Sequence, residues 1–161
     1  MKKLLGITAI LGAAMFAFAA FAPAASAQTP PGDASGQALV AGRGVLTAYG
    51  TGIAAVKGAM DLHATAAEGI LLVKDPTGNA RIDVDGYGGT GHWLGMTVYF
   101  GFHGSAHIVG RDVGVLIVGR DVDLHVVGRG WAFVRGQGTF SVNGGPPQPW
   151  TEEGVRTNVA P

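Results

Sequence analysis

The chain has 161 residues, with 11 Lys+Arg against 11 Asp+Glu, no Cys and 28 Gly. This balance gives no basic footprint for nucleic acid or an anionic membrane, so neither is expected as a partner. Zero Cys excludes a disulfide framework, Cys-based zinc sites and thiol nucleophiles.

Residues 1–27 read as a secretory signal peptide. Met1-Lys2-Lys3 is a short positive start, Leu4 to Ala22 is apolar, and Pro23 breaks the run. Ala25-Ser26-Ala27 is the small-x-small pattern that a signal peptidase reads, with Gln28 as the new N-terminus. The expectation is export, to the periplasm or the extracellular space. Cleavage would remove Lys2 and Lys3 and leave nine basic residues against eleven acidic ones. No second long apolar run follows, so no membrane span is expected after cleavage.

Residues 28–37, Gln-Thr-Pro-Pro-Gly-Asp-Ala-Ser-Gly-Gln, read as a flexible leader. Residues 38–145 read as one all-β domain, and residues 146–161 as a Pro-containing C-terminal tail. From 38 to 66 the even positions are Ala, Val, Gly, Leu and Met, whereas the odd ones include Arg43, Thr47, Lys57, Asp61, His63 and Thr65. That is the period of half-buried strands. No window carries a helical stripe.

Three loops predict hairpins. A four-residue loop at Pro76–Asn79 would pair Val73 with Ile82. A two-residue Gly119-Arg120 turn would set Ile117, Val115 and Val113 opposite Val122, Leu124 and Val126. A three-residue loop at Gly136-Gln137-Gly138 would place Val134 opposite Phe140. The second of these falls in a triplet, Val-Gly-Arg, that recurs at 109–111, 118–120 and 127–129.

Asp61-Leu62-His63 also recurs, as Asp123-Leu124-His125, and the segments around each are alike. This suggests internal duplication, with halves at about 40–86 and 100–144. The expected architecture is an antiparallel β-barrel or β-sandwich of about ten short Gly-punctuated strands. The alternative is a β-helix with Gly at its corners. The Gly/Val alternation resembles bactofilin-like β-helices, although their regular coil length is missing.

The repeated Asp-x-His is the main candidate for chemistry. Residues i and i+2 on a strand share a face, so Asp61/His63 and Asp123/His125 each present a carboxylate beside an imidazole. Both groups ligate zinc or copper, and twofold symmetry would bring the pairs together. His103 and His107 also share a face, but lie about 13 Å apart along a strand, too far for one ion. Ser35, Ser105 and Ser141 lack a Gly-x-Ser-x-Gly elbow. The Gly86–Gly91 run has no helix after it to cradle phosphate. Trp93 and Tyr99 mark a candidate ligand surface for a sugar or polymer.

No cofactor is implied. The expected function is that of an exported, non-catalytic β-domain with a structural or binding role in the cell envelope or outside it. An envelope polymer and a second copy of the chain are the candidate partners. The alternative is a metal-dependent hydrolase or metal-binding protein using the Asp-x-His pairs.

Overall fold

The computed structural model describes residues 43–161. The expected signal peptide at 1–27 and the expected leader at 28–37 lie outside the described residues. Eight strands follow in chain order: β1 Gly44–Thr65, β2 Glu68–Lys74, β3 Arg81–Asp85, β4 Gly89–Trp93, β5 Met96–Phe102, β6 Ser105–Val142, β7 Gln148–Pro149 and β8 Val155–Val159. Among the described residues there is no helix. Every strand pairing is antiparallel, which overturns the β-helix, an architecture of stacked parallel coils. The hydrogen-bonded path β1-β6-β2-β5-β4 ends on β4 and is not closed.

Two strands dominate. β1 has 22 residues and β6 has 38, against the 3–10 usual for strands. A straight 38-residue strand would be roughly 125 Å long, several times the roughly 35 Å diameter of a folded domain of this size. Both strands must therefore bend. The register shows how they do so: β1 pairs with residues 105–128 of β6 along one edge and with 123–142 along the other. Val126 lies between Leu46 and Leu62 and pairs with both. Two stretches of one strand thus flank the same stretch of its partner.

Paired glycines permit this close winding. Gly50 faces Gly138, Gly52 faces Gly136, and Gly58 faces Gly130. A Cβ on any of the six would run into a backbone carbonyl of the facing strand. Only glycine lets two backbones come that close.

The three expected hairpins are corrected. Residues 105–142 form one strand, so neither Gly119-Arg120 nor Gly136–Gly138 is a turn. Residues 120–121 instead form a bulge opposite Thr51, because Gly50 pairs with Val122 while Gly52 pairs with Gly119. Asp121 takes φ +50° there, and its N–H donates to Thr51 Oγ1 at 3.2 Å. A second bulge, at 111–112, lies opposite Ala59. One extra residue flips in/out parity just as a two-residue turn does, so side-chain alternation could not separate the two readings. The Pro76–Asn79 turn does exist, but Val73 pairs with Val115 and Thr97 while Ile82 pairs with Ile108. β2 and β3 thus lie one after the other along β6. The count of about ten short strands gives way to eight, two of them very long.

That turn is organised by Asp75. Its carboxylate accepts from the N–H groups of Gly78 (2.9 Å), Asn79 (3.3 Å) and Ala80 (2.9 Å). These bonds, Ala80's foremost, hold the carboxyl below its usual pKa. A depressed pKa contributes stability that is present above the unfolded-state value and is lost as pH falls through the folded one. The stability difference between wild type and Asp75→Asn should therefore be constant at neutral pH and shrink below about pH 3.9. Urea unfolding across that range checks it; a gap independent of pH would refute it.

The alternation places one core. Leu46, Ala48, Ala54, Val56, Met60, Leu62 and Ala64 of β1 are buried with Ala106, Ile108, Val113, Val115, Ile117, Val122, Leu124 and Val126 of β6. Each parity change in the β6 set falls at one of the two bulges. A second apolar row crosses the opposite face. Leu72 lies between core residues Leu71 and Val73 and so points away from them, yet it is buried together with Ala55, Leu116 and Val98, its neighbours in register.

The expected tail is also corrected. Within residues 146–161, β7 pairs with Thr139–Phe140 and β8 with Gly130–Val134. Trp150 and Val159 are buried in the core. Proline and polar residues masked two short edge strands and their apolar anchors.

Candidate metal centre

The polar face opposite the core carries the repeated motif. His63 pairs with His107 on one side and with His125 on the other. Asp83 pairs with His107 further out, and Thr47 with His125. Directly paired residues share a face with Cβ atoms about 5 Å apart. The sheet thus lines up Asp83, His107, His63, His125 and Thr47 in one row across five strand segments.

Two of this row, His63 and His107, converge with Asp61, two residues before His63 on β1. Ligand atoms of Asp61, His63 and His107 all lie within 4.8 Å of one another. Asp61 Oδ1 is 2.9 Å from His107 Nε2 and 3.5 Å from His63 Nε2. The His63 and His107 rings stack with centroids 4.0 Å apart and planes at 10°. Two ligands held 2.0–2.1 Å from a tetrahedral zinc ion are roughly 3.4 Å apart. The two oxygen-to-nitrogen distances lie on either side of that value. Asp61 and His107 are half-buried and His63 is exposed, so solvent and ions have access. A cleft of about 300 Å³ adjoins the cluster, lined by Asp83, Asp85, Ser105, His107, Asp123 and His125 among others.

Of the four residues expected to bind metal, Asp61 and His63 lie in the cluster. His125 is the register neighbour of His63 but lies outside the converging set, and Asp123 pairs with Thr65 one row away. His107, set aside because of its distance from His103, completes the set from a neighbouring strand. Only the pairing of β1 with β6 brings it there. His103 bonds locally, its Nδ1 donating to the Gly101 carbonyl oxygen at 2.7 Å.

The aromatic pair does not form one surface. Tyr99 pairs with Leu71, on the core side, whereas Trp93 pairs with Met96 on the other face of the β4–β5 hairpin. Burial pushes the Tyr99 phenol above its usual pKa, and the Tyr87 phenol, edge-on at 5.1 Å, adds to the shift. Among the described residues no serine hydroxyl is bonded to an imidazole; Ser141 Oγ donates to the Gly145 carbonyl. Compared with known families, curated proteins and solved structures, the chain matches none.

Proposed function

We propose that the chain is an exported, non-catalytic β-domain that captures a divalent transition-metal ion, zinc or copper, on the polar face of its sheet. The observation that carries this reading is the convergence of Asp61, His63 and His107 within 4.8 Å. One carboxylate and two imidazoles suit zinc and copper. Three protein ligands leave a fourth position for water or for His125. Imidazole and carboxylate ligands must be deprotonated to bind a metal, so uptake weakens as pH is lowered.

Export rests on the Met1–Ala27 pattern, and an envelope or extracellular site follows from it. We read the winding of β1 around β6, with one core inside, as an open barrel. Internal duplication rests on the recurrence of Asp61-Leu62-His63 as Asp123-Leu124-His125; in register the two motifs meet only at the His63–His125 pair. The test is titration of zinc into chelator-treated protein. One ion per chain should bind, and at about a hundredfold excess over Kd it should stabilise the fold by about 2.7 kcal/mol. A thermal unfolding curve unmoved by zinc, with no zinc retained on dialysis, would end the reading.

A further inference from the structure

The Val-Gly-Arg triplets are not used by the metal cluster, and two of them meet in space. A cleft of about 820 Å³ is lined by Val109, Gly110 and Arg111 from one triplet and by Val127 and Arg129 from another. Between them runs β1: Asp61 pairs with both Val109 and Val127, and Met60 with both Gly110 and Gly128. Arg111 stands in the bulge opposite Ala59, and Arg129 pairs with Ala59 from the other side. The two triplets thus set one guanidinium on each flank of the same short stretch of β1. Arg43, just before β1, joins the lining.

The third triplet lies outside this lining. Its Arg120 is ion-paired with Glu68, its register partner on β2. Among the described residues Arg43 and Arg111 are in no ion pair. Asp112, next to Arg111, is held 4.0 Å from Lys57 instead. The one carboxylate in the lining, Asp61, bonds His107. Asn79 Oδ1 accepts from the Arg111 N–H at 3.2 Å and ties the bulge to the β2–β3 loop. The floor carries apolar groups from Ala59, Val109 and Val127.

We propose that this cleft binds the oxyanion group of a small organic molecule, with Arg111 and Arg129 as its clamp and Arg43 in support. Guanidinium groups match phosphate and carboxylate oxygens bidentately. The volume lies within the range of small-molecule sites, and Val109 and Val127 would meet the ligand's apolar body. Nothing in this site uses the metal ligands except the shared wall at Asp61.

The experiment is calorimetric titration of phenyl phosphate into chelator-treated protein, so that the result does not depend on metal binding. Phenyl phosphate should bind, and phenol should not. Arg111→Gln and Arg129→Gln should each weaken binding about tenfold, and added salt should weaken it further. Arg120→Gln, the matched residue of the third triplet, should leave it unchanged. Absence of phenyl phosphate binding would overturn the proposal. So would phenol binding as tightly, or an equal loss in Arg120→Gln.

Discussion

Replacing Gly136 with alanine should destabilise the folded domain by roughly 3 kcal/mol or more. Two costs combine. Gly136 has φ +129°, in a region that L side chains rarely adopt. A methyl group there would also overlap the Thr51 carbonyl oxygen on β1. That oxygen belongs to a paired strand and cannot move without disturbing the ladder on both sides. Gly52, its register partner at φ +145°, meets the Arg135 carbonyl in the same way, so Gly52→Ala should behave alike. Gly89 in β4 is the control: it has open space around its Cα and no positive φ, so Gly89→Ala should stay within about 0.5 kcal/mol. Urea unfolding midpoints at unchanged m-value measure all three. A Gly136→Ala midpoint equal to that of wild type would show that the facing glycines are not what lets β1 and β6 wind so closely.

The same glycines mark how far the sequence could be read. Within the described residues, alternation from 44 to 66 correctly separates Leu46, Leu62 and Ala64 from Thr47, His63 and Thr65, because a strand's period is a local property. The all-β class follows from it. Long-range register is different. Gly119, Gly136 and Gly138 carry the same local signal whether the chain turns back or runs on past a partner backbone. Parity gave no help, since a one-residue bulge at 120–121 and a two-residue turn shift it equally. The polar tail hid Trp150 for a related reason: its burial depends on β6 being long enough to offer an edge at Gly138, whose carbonyl accepts from the main-chain N–H of Trp150 at 2.9 Å. The candidate metal cluster was legible only in part. Asp61 and His63 are joined by local spacing, whereas His107 reaches them only through a pairing between residues 44 positions apart in the chain.

That distinction sets the second large expected effect. His107→Ala should lower zinc affinity at least about a hundredfold, because it removes one of three converging ligands, and even outer-shell partners cost 10–100-fold. His63→Ala should match it. Asp61→Asn keeps the shape and an acceptor oxygen but loses the charge that a divalent cation draws on, and should cost at least about tenfold. Asp123→Asn should change nothing, because Asp123 sits one row away opposite Thr65. His125→Ala is the informative contrast. Within the repeated motif it is the equivalent of His63, yet its ring is outside the converging set. Its loss should cost only a few-fold, as that of an optional fourth ligand. All five side chains lie on the polar face, half-buried or exposed, so the metal-free variants should unfold within about 0.5 kcal/mol of wild type, and the zinc titrations then compare equally folded proteins. Wild-type affinity in His107→Ala would remove the centre altogether. A loss in His125→Ala as large as that in His107→Ala would move it toward the Asp-x-His pair on the other side of His63.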